Sequence, residues 1–215
     1  MTTAFDPSGD FGQVTDFQQE ATLQRPGTSD SWPLCRAVAS PVRASEARSS
    51  AGAYTQDDVV WSLDAGEMTV APQPGDVVVD ADARRWVVLA ARRGATGRWR
   101  CICRNLAIAQ SLDRTIDVEV AVRSKDAAGA EVVTWQPWRT GVAARLQPIR
   151  STVAPIHERL GQLSEWKVFV ADQLDIDHTH RIKTSDGTIY QVVGVQKAQR
   201  IDTLMEIDVI RAVEE

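Results

Sequence analysis

The chain reads as mainly β, with two related small antiparallel β-barrel or sandwich units in tandem, each carrying a short helical insertion. Three observations predict this. Short runs alternate apolar and polar residues, as strands with one buried face require. Turns rich in Pro and Gly separate those runs. The second half then repeats the plan of the first at an offset of about a hundred residues, the size of a small domain rather than of a solenoid repeat. Thr22–Arg25 corresponds to Val120–Arg123, Val38–Ala44 to Val142–Pro148, and Asp76–Val88 to His180–Val192. Each half closes on an alternating strand, Trp99–Arg104 and Leu204–Arg211.

Residues 1–16 mix Gly, Asp, Pro and Ser around Phe5 and Phe11, which predicts an extended N-terminal arm that orders only against a partner. The first unit spans 17–110. Ala21 and Leu23 share one strand face, and Pro26–Asp30 has loop chemistry. Ser45–Tyr54, rich in Ala and Ser, reads as a short helix or a mobile loop. Val59–Leu63 and Met68–Val70 read as strands, Pro72–Asp76 as a turn, and Val77–Val79 with Trp86–Ala90 as hairpin arms. Gly94–Gly97 turns the chain into Trp99–Cys103, where alternation puts Trp99, Cys101 and Cys103 on one face.

The second unit spans 111–215. Val118, Val120 and Val122 face one way, and Asp126–Gly129 is a loop. Val142–Leu146 is a strand stopped by Pro148. Ile156, Leu160 and Leu163 recur at helical spacing after Pro155, which predicts the helical insertion there. Strand patterns return at Trp166–Val170, Arg181–Lys183, Ile189–Val195 and Leu204–Ile210.

With 43% hydrophobic and 25% charged residues, the composition is that of an ordinary globular protein. A net charge of −5 argues against the whole molecule being drawn to nucleic acid. No apolar run approaches the length of a membrane span, and Met1–Asp6 lacks the basic and apolar regions of a secretion signal. Three cysteines, Cys35, Cys101 and Cys103, make a poor disulfide framework and fit a reducing interior.

Few residues carry a chemical signature. His178 and His180 would share one strand face, as a pair of metal ligands requires, but a third ligand from Asp175, Asp177 or His157 would depend on tertiary placement. A polar loop leading into a strand accounts for the same residues. Cys101 and Cys103 are spaced C-x-C rather than C-x-x-C and read as core thiols beside Trp99. There is no nucleophile elbow, P-loop or dinucleotide fingerprint, so no catalytic residue, metal or cofactor is assigned. Arg98, Arg100 and Arg104 project from the face opposite Trp99, and Arg92 and Arg93 at the adjoining turn complete a fringe. It is suited to DNA phosphates in a channel, to ion pairs across a subunit interface, or simply to solvation. Trp135 and Trp138 flank Pro137 in a segment with little other apolar content, which makes them candidate partner anchors or plugs for one end of a barrel.

The second unit resembles the head–tail joining (head-closure or stopper) proteins of tailed bacteriophages. Glu119–Arg123 looks like that family's opening strand. Val142–Ile149 is similar to its "A-R-I-x-P-L" strand, and Val153–Leu163 to its helical insertion. His178–Ile182 is similar to its "T-H-R-I" stretch, and Asp186–Val195 to its "D-G-x-x-Y-x-V-x-G-V" hairpin. The first unit matches more loosely, through Asp76–Leu89 and Arg98–Leu106. The usual member is a single unit, whereas this chain has two.

The resemblance implies a non-enzymatic virion neck protein, assembled in the host cytoplasm. It would form a ring below the portal and its adaptor, close the DNA channel and dock the tail tube or tail terminator. A hexameric ring is expected, with a trimeric pseudo-hexamer as second choice. Non-specific contact with packaged genomic DNA is implied, and no membrane. Gly27–Leu34, Asp126–Ala130 and Asp172–Asp177 are the candidate channel loops. The alternatives are another neck or tail component (adaptor or tail terminator), a small metal-dependent β-barrel enzyme using His178 and His180, and a plain DNA-binding module.

Overall fold

The computed structural model describes residues 16–94, 96–126, 129–156 and 159–212. The chain divides into two compact units, Met1–Ala109 and Gln110–Glu215. Residues 1–15 of the expected arm lie outside the described residues.

The first unit is built from β1 (Gln19–Gln24), β2 (Ser31–Pro41), β3 (Val59–Asp64), β4 (Val77–Asp80), β5 (Arg85–Arg93) and β6 (Arg98–Arg104). The strands pair antiparallel in the order β1-β2-β3-β6-β5-β4, and β4 returns to β1. The sheet is therefore a closed barrel, which removes the exposed strand edges that would otherwise template aggregation. Alternation drives the closure. Leu23, Leu34, Trp61, Leu63, Val78, Val88, Cys101 and Cys103 point inward as one cluster, each no more than 1% exposed. Fully burying each of the larger apolar side chains contributes about 1.5–3 kcal/mol.

Between β2 and β3 the chain makes an excursion through α1 (Ala44–Ser49). Six residues are too few to hold a helix alone. The excursion is held instead by a second apolar cluster on the barrel's outer face, where Val42, Val60 and Ile102 pack with Ala47 and Tyr54. Met68–Val70, expected as a strand, is not one. The β3 ladder ends at Asp64, whose Oδ1 accepts from the Gly66 N–H at 2.8 Å and starts a 3-10 turn over Ala65–Glu67. The Glu67 carboxylate then accepts the N–H groups of Cys35 and Arg36 and pins the segment to β2. A short helix, α2 (Leu106–Ala109), follows β6.

The second unit comprises β7 (Arg114–Lys125), β8 (Glu131–Ile156), β9 (Arg159–Val170), β10 (His180–Thr184), β11 (Ile189–Gln196) and β12 (Met205–Arg211). It too is a closed antiparallel barrel, ordered β7-β8-β9-β12-β11-β10. Counted from each unit's first strand, the order is the same in both. Ile116, Val118, Ala144, Val168, Val170, Ile182, Met205, Ile207 and Val209 fill it, each no more than 1% exposed.

The likeness extends to backbone detail, at a spacing of 104 residues between counterparts such as Asp80 and Thr184. In the β4–β5 turn the Asp80 N–H donates to the Arg84 carbonyl and the Ala83 N–H to the Asp80 carbonyl, both at 3.0 Å. In the β10–β11 turn Thr184 and Thr188 make the same bond at 3.0 Å, and the Gly187 N–H donates to Thr184 at 2.9 Å. Ala83 and Gly187 both take the left-handed conformation these turns need, with φ 61° and 86°. The ladder also slips at matched places, between Val88 and Ala90 on β5 and between Val192 and Gly194 on β11.

The units differ in their hairpins. β10 covers β7 over Ile116–Val120, while the β7–β8 ladder runs on to Lys125 opposite Glu131. Likewise β12 covers β9 over Glu165–Val170, while β8 and β9 stay paired out to Ile156 opposite Arg159. Two-stranded ribbons thus extend past the barrel wall. β8 serves both, changing partner at Ala144, which pairs with Arg114 on one side and Val170 on the other. The helix expected at Pro155–Leu163 is replaced by the second ribbon. A helix that short carries the full nucleation cost, whereas extending an existing ladder gives each added backbone group a partner. His157 lies outside the described residues.

Candidate interaction surfaces

Three of the five fringe arginines are committed within their own unit. Arg104 engages Asp58 through Nε on Oδ1 and Nη2 on Oδ2, each at 2.8 Å, and donates to the Ala53 carbonyl at 3.2 Å. Arg100 places Nη2 2.6 Å from Glu46 Oε2 on α1. These two residues of β6 fasten the α1 excursion to the barrel. Arg98 turns across the sheet, its Nη2 donating to the carbonyls of Arg36 and Ser62. Arg92 and Arg93 are exposed at the end of β5. Arg92 stands directly opposite Arg100 in the ladder, and both line a small cavity with Glu46, Tyr54, Ala90 and Ile102. Sequence reading found the arginines but not Glu46 and Asp58. Their only signal was position, with Glu46 inside and Asp58 just after the Ser45–Tyr54 stretch read as a short helix or a mobile loop.

Trp135 and Trp138 are both half-buried on β8. The Arg181 guanidinium lies over the Trp135 ring at 4.4 Å from its centroid while its Nε bonds Glu119 Oε2 at 2.5 Å. Adjacent strands thus form a stack, Trp135 on β8, Glu119 on β7 and Arg181 on β10, and its charged members had not been singled out. Trp138 packs against the second core. Its ring meets the edge of His180 at 5.1 Å and carries Arg139 at 5.3 Å.

His178 and His180 are not a matched pair. His178 sits exposed in the turn before β10, whereas His180 is the first residue of the strand. The Nδ1 of His180 lies 2.9 Å from Asp177 Oδ1. That carboxylate is held well below its usual pKa, first by the Thr179 hydroxyl, then by the Thr179 N–H and by His180. Among the described residues no group of three or more His, Cys, Asp or Glu side chains is placed to hold a metal.

The candidate channel loops also differ. Gly27–Leu34 is half turn and half β2, and Ala127 and Ala128, within Asp126–Ala130, lie outside the described residues. Asp172–Asp177 is tied down by buried Leu174 and Ile176, and the Leu174 N–H donates to Met205 Sδ at 3.2 Å. Cys101 and Cys103 are buried free thiols in the first core. Desolvation, reinforced by the charge of Asp76, pushes Cys101 up to about 12, and burial also raises Cys103 well above its ordinary value. Among the described residues no helix is long and apolar enough to cross a membrane.

No family model matches the chain, and no curated protein matches it. A solved chain from the virion of a native gene transfer agent particle aligns with 47% of this chain and 96% of its own length. The identity is 18% and the TM-score 0.37.

Proposed function

We propose that the protein is a non-enzymatic structural component of a tailed-phage or prophage virion neck. It is assembled in the host cytoplasm as a ring beneath the portal and adaptor, where it closes the DNA channel and receives the tail. The observation that carries this reading is that four of the five stretches resembling head-closure proteins fall on the neighbouring strands β8, β7, β10 and β11 of the second barrel, while the described residues of the fifth, Val153–Leu163, belong to the β8–β9 ribbon and not to a helical insertion. His178–Ile182 leads into β10, and Asp186–Val195 supplies its turn and β11. Val142–Leu146 lies on β8 across the same core.

The two units descend, in this reading, from one module copied in tandem. The shared strand order, the matched β4–β5 and β10–β11 turns and the matched bulges support that descent. The ribbons of the second unit provide unpaired strand edges beyond the barrel. A neighbouring copy can pair with such an edge, and closed cyclic symmetry then yields a ring. The strand-built fold also favours a head-closure role over a mainly helical adaptor.

The test is the mass and shape of the purified full chain alone and with portal–adaptor complexes, by native mass spectrometry and negative-stain imaging. A hexamer of 23.6 kDa subunits seated on the adaptor is expected. A trimer with six barrel densities would support the duplicated-module variant. A monomer at every concentration with no affinity for the neck overturns the proposal.

A further inference from the structure

Directly opposed like charges on one strand pair are destabilising unless something of opposite charge lies between them. Arg92 and Arg100 are such a pair. Glu46 supplies one carboxylate, and it reaches Arg100 at 2.6 Å. Among the described residues no ion pair or hydrogen bond engages the Arg92 guanidinium. The three side chains line a cavity of about 50 Å³ together with Tyr54, Ala90 and Ile102. One water needs roughly 10–15 Å³ of such space, so the cavity admits a group the size of a few waters. Pockets for drug-sized ligands or nucleobases run to about 300–1,000 Å³, so a ring system is too large.

We infer that the Arg92–Arg100 cavity is a binding site for a single phosphate group. The lining carries two cations against one carboxylate, Arg92 is exposed, and guanidinium forks match phosphate oxygens in pairs. Glu46 holds Arg100 in place when the site is empty and opposes the incoming anion, which keeps affinity modest. The phosphate can come from free inorganic phosphate or from a nucleic-acid backbone. The second source rests on the channel reading above, and the first does not.

The probes are inorganic phosphate and, separately, a short double-stranded DNA. Each is titrated into the full chain at fixed ionic strength while the arginine Nε–H signals are followed by nitrogen-15 NMR. Saturable shifts of Arg92 and Arg100 are expected with phosphate. Affinity should fall by at least about tenfold in Arg92→Gln, stay unchanged in Arg93→Gln and rise in Glu46→Gln. Arg92 is exposed, outside both cores and opposite a like charge, so its variant should melt at or slightly above the wild-type temperature. Phosphate binding that Arg92→Gln leaves intact, or no saturable shift with either probe, overturns the site. Arg92-dependent phosphate binding without DNA binding upholds the site and removes this surface from the channel reading. DNA binding that ignores Arg92 removes the nucleic-acid backbone as the source, overturns the site if phosphate binding also ignores Arg92, and leaves the neck proposal standing.

Discussion

Arg104 and Asp58 meet fork to fork, Nε on Oδ1 and Nη2 on Oδ2 at 2.8 Å each, with the Asp58 side chain 1% exposed. Asp58 Oδ2 also accepts the Thr55 N–H at 2.7 Å, so one carboxylate ties the returning end of the α1 excursion to β6. Removing one partner of such a buried pair leaves the other charge stranded, at a cost of about 3–5 kcal/mol. Arg104→Ala and Asp58→Ala should each destabilise the protein by about that amount in urea denaturation. Arg104→Lys, which keeps the charge and loses the fork, should cost less.

The paired turns make a prediction with opposite signs. Ala83 holds a left-handed φ where its counterpart is Gly187. A non-glycine residue in that region costs about 1–2 kcal/mol, and an added Cβ at Gly187 meets nothing within 4 Å. Gly187→Ala should therefore destabilise by about 1 kcal/mol through backbone strain alone. Ala83→Gly should be neutral or stabilising by up to about 1 kcal/mol, since relief of strain offsets glycine's larger entropy loss. Melting temperatures of the two variants check this.

The thiols should react in two classes. Cys35 is exposed, whereas Cys101 and Cys103 are buried with raised pKa values. An aromatic disulfide reagent at neutral pH should label Cys35 quickly in the native protein and reach the other two only after unfolding. The sign of the linkage follows. The Cys101 thiol stays protonated in the fold while the unfolded chain ionises near 9.0. Stability should be fully present below about 9 and should fall as pH rises from there toward about 12. A pH series of denaturant midpoints in which Cys101→Ala flattens that fall would establish it.

The two tryptophans of β8 should separate when mutated. Trp138 packs against the core and against His180, so Trp138→Ala should cost about 2–3 kcal/mol, less than a fully buried tryptophan. Trp135 rests mainly under Arg181, and Trp135→Ala should cost about 1 kcal/mol or less. If Trp135 anchors a partner, its loss should weaken ring assembly or adaptor binding far more than it lowers the melting temperature.

The barrel strands were legible because inward residues such as Leu23, Ile182 and Ile207 alternate cleanly with polar neighbours. Ile156, Leu160 and Leu163 misled because three apolar residues at helical spacing say nothing about a waiting ladder, and β8 and β9 were already paired nearer the barrel. At Met68–Val70 a side-chain event intervened, with the Asp64 and Glu67 carboxylates capturing backbone N–H groups and ending the strand. The arginine fringe was visible as composition, but which of its members were already neutralised depended on Glu46 and Asp58 across some fifty residues of chain. Trp135 and Trp138 stood out by type, while the Arg181–Glu119 pair beside them arises only where β7 meets β10.

The partner change at Ala144 has a mechanical corollary. Because β8 leaves β7 where it takes up β9, a pull on either protruding ribbon strips hydrogen bonds sequentially toward one residue instead of shearing a whole ladder at once. That residue is an alanine packed in the barrel interior, so each ribbon can peel or swing while its sibling stays seated.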